Sequence, residues 1–121
     1  MLDQFGLTEA LSGVSSLIHL EPQPYFDFLK LQKHARLVLT DSGGVQEETT
    51  FLGVPCLTLR ENTERPVTLT EGTSRLVGSR TEAIIAGIDQ ALAGQWPAGK
   101  IPEYWDGQAS GRIVHILSAL V

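Results

Sequence analysis

The chain has 121 residues, 42% hydrophobic and 19% charged, a balance that suits one globular domain and excludes a disordered chain. Its net charge of −5, from 9 Lys+Arg against 14 Asp+Glu, argues against a general nucleic-acid binder, which needs a basic face. The one cysteine, Cys56, excludes an intrachain disulfide and a cysteine-based zinc site, and suits a reducing compartment.

No apolar run approaches the ~18 residues that would span a bilayer. The opening Met1-Leu2-Asp3-Gln4-Phe5-Gly6 has neither the basic region nor the long apolar core of a signal peptide. A soluble cytoplasmic protein, without membrane or nucleic-acid partners, is expected.

In chain order, Leu17-Ile18-His19-Leu20 reads as a first strand. Pro24 stands where the first turn of a helix tolerates proline, and Tyr25, Phe28, Leu29 and Leu31 carry that helix to about His34. Leu37-Val38-Leu39-Thr40 is apolar on both faces, as in a buried parallel strand. Gly43-Gly44 is expected to break the chain before a helix over 45–52, with Gly53 placed as its C-terminal glycine. Cys56-Leu57-Thr58-Leu59 reads as a third strand and Arg75-Leu76-Val77-Gly78 as a fourth. Thr81 is a good N-cap for a helix ended by Gly94. Residues 95–107, with Pro97, Gly99 and Pro102, read as an exposed excursion packed by Trp96 and Trp105. A final helix covers 110–120, with Ile113, Ile116, Leu117 and Leu120 at helical spacing. Strand–helix alternation predicts an α/β domain with a parallel sheet.

The chemistry concentrates in Thr40-Asp41-Ser42-Gly43-Gly44-Val45-Gln46-Glu47-Glu48, which joins the C-terminal end of a strand to a helix N-terminus. Open α/β sheets bind ligands at that edge. Two glycines let a ligand reach the backbone, and the first helical turn offers unpartnered N–H groups and a partial positive charge to a phosphate or diphosphate. The same residues also suit a plain tight turn with Ser42 as N-cap. Neither G-x-x-x-x-G-K-[ST] nor G-x-G-x-x-G occurs. Glu47 and Glu48 are expected in the first turn. One carboxylate there is ordinary helix chemistry, and a second suits ribose hydroxyls or a merely solvated face. Arg60-Glu61-Asn62-Thr63-Glu64-Arg65-Pro66 forms another polar loop. In it Arg65 suits either a phosphate or a surface pair with Glu61 or Glu64. Gly72-Thr73-Ser74-Arg75 is expected as a third loop at the same edge. His19, His34 and His115 lie far apart, in no metal spacing, and Cys56 reads as inert core.

At these residues the chain resembles the non-hydrolysing UDP-N-acetylglucosamine 2-epimerases. The resemblance rests on the run from Leu37 to Glu48, on Leu52-Gly53-Val54-Pro55, and on Arg60 with Thr63-Glu64-Arg65-Pro66. It continues in Gly72-Thr73 with Leu76-Val77-Gly78, and in Asp106-Gly107-Gln108-Ala109-Ser110. It implies two Rossmann-like domains facing each other across a cleft, a fold shared with type-B glycosyltransferases. Only the C-terminal domain is matched, so residues 1–121 are expected to form a single UDP-binding domain without the N-terminal catalytic domain. Carried over by motif, Ser42, Gly43 and Gly44 would cradle the diphosphate and Glu48 would bind the ribose hydroxyls. Arg65 would lie beside the nucleotide-sugar, and Gln23 and Phe28 would line the uracil pocket. The implied reaction inverts C2 of the sugar by eliminating UDP and adding it back, without nicotinamide or another cofactor. The family's acid and base carboxylates and its catalytic histidine have no counterpart among these residues, so no catalytic residue is assigned. The implied partners are UDP, a UDP-N-acetylhexosamine and the N-terminal domain. The final helix is expected either to dock on its own sheet or to mediate self-association into a homo-oligomer. The alternatives are the C-terminal domain of a type-B glycosyltransferase and a non-enzymatic interaction domain.

Overall fold

The computed structural model describes residues 2–121. A 3-10 turn, Leu2–Phe5, and helix α1, Leu7–Ser12, precede an exposed connection to α2, Tyr25–His34. There follow β1 (Val38–Thr40), α3 (Gly43–Leu52), β2 (Cys56–Thr58), the short α4 (Val67–Thr70), β3 (Ser74–Leu76), α5 (Thr81–Leu92) and α6 (Ala109–Ala119). The strands form one parallel sheet in the order β1-β2-β3, with Val38, Cys56 and Ser74 in register at one end and Thr40, Thr58 and Leu76 at the other. This is the parallel α/β sheet expected from the alternation of apolar runs and helical patterns, and it fits the Rossmann-like domain that the family resemblance implies.

The middle strand explains the core. Cys56, Leu57 and Thr58 are fully buried, as a parallel strand covered on both faces requires. Gly87 of α5 lies so close that an added Cβ would stand 2.6 Å from Leu57 Cδ2. The face that α3 buries is polar: Gln46, Thr49 and Thr50, spaced as one helical stripe, are all buried. Thr49 Oγ1 donates to the Val45 carbonyl (2.9 Å), so part of that stripe is satisfied by its own helix. Gly53 ends α3 in the left-handed conformation (φ 73°), which residues with a Cβ adopt at a cost, and its N–H closes back on Thr49 and Thr50.

Several expectations are corrected. Residues 17–20 form no strand: Ile18 is 79% exposed and the one backbone bond there, Leu17 N–H to Val14 O, is a turn. An apolar tetrapeptide becomes a strand only when a neighbour pairs it, and β1 has its one partner in β2, so the sheet has three strands among the described residues. Gly43-Gly44 open α3 rather than break the chain, and neither has a positive φ. Arg80, not Thr81, is the N-cap of α5. The two N-terminal elements and α4 were not expected.

Residues 95–107 form the exposed excursion expected, tied to the sheet at a few points. Trp96 Nε1 donates to the Thr73 carbonyl (2.7 Å), and the Lys100 N–H donates to the Glu71 carbonyl (2.8 Å). The Arg75 guanidinium lies 4.2 Å over the Trp96 ring. Asp106 anchors the entry to α6, accepting from the Gln108 N–H (2.9 Å) and pairing with Arg112. The Arg112 side chain, then the Gln108 N–H, hold the Asp106 carboxyl below the usual carboxylate range. The apolar residues of α6 stay exposed, Val114 at 62% and Ile116 at 59%, so this helix does not dock on its own sheet.

Candidate functional site

The end of β1 leads directly into α3. Thr40 Oγ1 accepts from the Ser42 N–H (3.1 Å), and Ser42 Oγ caps the helix by accepting from the Val45 N–H (3.4 Å). As the first two helical residues, Gly43 and Gly44 have N–H groups without an intrahelical acceptor. The surface above them is open: an added Cβ at Gly44 would meet Ser42 Oγ at 3.8 Å, and one at Gly43 would meet Arg65 Cγ at 3.6 Å, both ordinary contacts. The first turn of α3 holds no acidic residue, because Glu47 and Glu48 fall in the second turn rather than the first. The positive end of the helix dipole is therefore not neutralised locally.

Arg65 comes from the loop after β2, which leaves the sheet at the same C-terminal edge. Its partner is neither Glu61 nor Glu64: Arg65 Nε pairs with Glu47 Oε1 on α3 at 2.6 Å, while Glu64 pairs with Arg60 at 3.5 Å. Behind Arg65 stands a residue that sequence reasoning missed. Buried Gln46 donates from Nε2 to Thr58 Oγ1 (2.8 Å) and accepts at Oε1 from Thr63 Oγ1 (2.9 Å), and Thr63 Oγ1 accepts from the Arg65 N–H (3.0 Å). The polar i, i+3, i+4 stripe of Gln46, Thr49 and Thr50 ending at Gly53 was the available signal.

Glu48 lies on the flank of α3 that meets α2. Gln32, 3% exposed, donates from Nε2 to Glu48 Oε2 at 2.6 Å. The negative charge of Glu48, then partial burial and a hydrogen bond to Glu48, push the Tyr25 phenol up. Neither Tyr25 nor Gln32 was singled out from the sequence. A groove of about 530 Å³ opens beside Glu48, between Tyr25 and Leu29 on one wall and Glu47, Phe51 and Trp105 on the other. Phe28 is 40% exposed, and Gln23 donates to the Glu21 carbonyl (2.7 Å). No hydrogen bond or ion pair among the described residues joins Gln23 or Phe28 to Ser42, Gly43, Gly44 or Arg65.

The third loop does not converge on this edge. The Cys56 N–H donates to the Thr73 carbonyl, and Cys56 is level with Ser74. Gly72-Thr73 therefore lie at the N-terminal edge of the parallel sheet, because they precede a strand rather than follow one. No group of three or more His, Cys, Asp or Glu residues suited to a metal ion occurs among the described residues.

Two glycine amides at a helix N-terminus thus stand with an arginine on one flank and a glutamate on the other, groups whose chemistry suits a phosphorylated, hydroxyl-bearing ligand. Residues 4–118 match the family profile described as UDP-N-acetylglucosamine 2-epimerase. The chain belongs to this family. It is 44% identical over 119 residues to the UDP-N-acetylglucosamine 2-epimerase of Methanocaldococcus jannaschii, a match that covers 97% of this chain and 31% of the relative. The structure of the Methanocaldococcus jannaschii enzyme in complex with UDP-GlcNAc and UDP superposes with a TM-score of 0.80 at 42% identity, covering 98% of this chain and 32% of that one. The Neisseria meningitidis epimerase bound to UDP-GlcNAc also gives 0.80, at 39% identity, over 93% of this chain and 32% of the other. The chain thus spans about a third of the length of the epimerases it matches, and its parallel sheet with flanking helices is part of their type-B glycosyltransferase-like fold. No helix among the described residues is long and apolar enough to cross a membrane.

Proposed function

We propose that the chain is the UDP-binding C-terminal domain of a UDP-N-acetylglucosamine 2-epimerase, an enzyme that interconverts UDP-N-acetylglucosamine and UDP-N-acetylmannosamine. The observation that carries this reading is the open Gly43-Gly44 turn at the start of α3, flanked by Arg65 and Glu48. The diphosphate takes the two free N–H groups and the positive end of α3. The Ser42 hydroxyl, whose oxygen already serves as the cap, still has its proton to donate to a phosphate oxygen. Arg65 adds a full charge, which Glu47 meets through Nε.

In the proposed reaction UDP is the leaving group, so negative charge grows on the β-phosphate as the C1–O bond breaks. Fixed N–H dipoles and a guanidinium aimed there stabilise that charge more than they stabilise the intact nucleotide-sugar. The same contacts hold UDP in place for its return to C1. Glu48, held by Gln32, presents carboxylate oxygens to the ribose hydroxyls, and Phe28 and Gln23 line the uracil side. Proton removal and return at C2 belong to residues of the N-terminal domain, as do the remaining contacts to the sugar. That domain is the partner proposed for the exposed apolar face of α6, with self-association of two copies as the alternative. No cofactor is assigned a role.

The 121-residue chain alone should bind UDP with a Kd of about 0.1–10 mM, because half of the cleft is absent and the loop around Arg65 must settle on the ligand. It should not epimerise UDP-N-acetylglucosamine. Proton NMR in deuterium oxide checks both statements, and deuterium entering at C2 with this chain alone would refute the division of labour between the two domains.

A further inference from the structure

We infer that Gln46 is a positioning residue for Arg65, acting through the Thr63 hydroxyl, and that Glu47 completes the clamp at the guanidinium. This rests on the nucleotide reading above and says how its charged group is set before ligand arrives.

Arg65 sits in a loop without regular structure, and its side chain is about half exposed, 45%. A long side chain in such a place ordinarily samples many rotamers and loses that freedom on binding. Two consecutive residues of α3, Gln46 and Glu47, remove much of that freedom beforehand. Gln46 has no exposed surface, and both ends of its amide are used. Its Nε2 is tied to Thr58 in the middle strand (2.8 Å), and its Oε1 takes the Thr63 hydroxyl proton (2.9 Å). The same hydroxyl accepts the Arg65 N–H (3.0 Å). A continuous hydrogen-bond chain therefore runs from β2 through α3 to the Arg65 backbone, with each donor and acceptor assigned. Glu47, the next residue, takes the guanidinium by Nε at 2.6 Å. Nη1 reaches only the Glu64 carbonyl, at 3.5 Å, and the Arg65 side chain lies against Gly43 (added Cβ to Cγ, 3.6 Å). Glu47 thus holds the guanidinium at Nε, and the Arg65 side chain stands beside Gly43, where an anion on the Gly43-Gly44 amides would meet it. Burial of Gln46 at a position facing the sheet has a packing use that Leu or Met would serve as well; what only an amide supplies is the link to Thr63.

The test uses Thr63→Val, which removes the hydroxyl and keeps the shape, and Thr63→Ser, which keeps the hydroxyl. Dissociation constants for UDP and for inorganic pyrophosphate are measured by chemical-shift titration, in the native background and with Arg65→Ala. The Arg65 Nε–H resonance is followed without ligand. Thr63→Val should weaken UDP and pyrophosphate alike, by about 3- to 10-fold, the value of one side chain ordered in advance. Thr63→Ser should bind within about twofold of native, and Thr63→Val should add nothing once Arg65 is alanine. The Nε–H resonance should be sharp in the native chain and broadened in Thr63→Val, and Gln46→Met should give the Thr63→Val profile. An equal loss with and without Arg65, or an unchanged Nε–H resonance in Thr63→Val, would overturn the proposal. If the native chain binds neither ligand while the resonance still responds to Thr63→Val, the clamp stands and the nucleotide reading falls.

Discussion

Gly44→Val should remove detectable UDP binding up to about 10 mM while leaving the domain as stable as before. The two halves of this expectation have separate causes. Within the chain, a Cβ at Gly44 meets nothing closer than Ser42 Oγ at 3.8 Å, and Gly44 does not need a positive φ. Replacing glycine in a helix loses no intrinsic stability, since glycine is the poorer helix former. Toward solvent, the branched side chain stands over the N–H groups of Gly43 and Gly44, where the diphosphate has to approach to hydrogen-bond distance. Retention of UDP binding by a folded Gly44→Val chain would remove the helix N-terminus from the site. Thermal unfolding alongside the titration separates the two effects.

Gly72→Ala should have the opposite profile, a loss of stability of about 3 kcal/mol, at the upper end for overpacking a well-filled core. Gly72 is buried between α3 and α4. An added Cβ would stand 2.3 Å from Thr50 Oγ1, 2.6 Å from Thr50 Cγ2 and 2.7 Å from the Thr68 carbonyl oxygen. Thr50 and Thr68 are themselves buried, so neither side can yield without moving a helix. The backbone of Gly99 also packs on Gly72, with an added Cβ at Gly99 only 2.9 Å from the Gly72 carbonyl carbon. Urea unfolding of the two chains measures the difference. A change below about 0.5 kcal/mol would mean that this junction is looser than described.

What could be read from the sequence follows how local the physics is. The strand–glycine–helix unit around residues 38–52 was legible because its signals are adjacent: an apolar run, a capping serine, and a glycine at the helix end. The failed strand at 17–20 has the right composition and no partner, and pairing is a property of the neighbour. The placement of Gly72-Thr73 failed because a loop before a strand and a loop after one look alike in composition, yet lie at opposite edges of a parallel sheet. In the proposed site, Ser42, Gly43, Gly44, Glu48 and Arg65 are named by the family motif they match, with the strand–glycine–helix spacing in support of the first three. Gln32, which holds Glu48, and Gln46 and Thr63, which reach Arg65, are not. Their roles depend on contacts across 16, 12 and 17 residues of chain, and nothing in a single side chain announces such a contact. The pairing of Arg65 with Glu47 rather than Glu61 or Glu64 was hidden for the same reason.

The central claim is that this edge of the sheet reads a nucleotide, with the diphosphate on Gly43-Gly44 and the ribose on Glu48. The most direct measurement is a pair of chemical-shift titrations, UDP and inorganic pyrophosphate, on the native chain and on Glu48→Gln. A carboxylate accepts hydrogen bonds from both ribose hydroxyls, whereas a carboxamide offers one oxygen and an N–H₂ group in its place. Glu48→Gln should therefore weaken UDP by about 10-fold, the scale of one charge-assisted hydrogen bond, and leave pyrophosphate within about twofold of native. Equal losses for the two ligands, or none for either, would contradict the assignment of Glu48 to the ribose and with it the reading of the site as a nucleotide site.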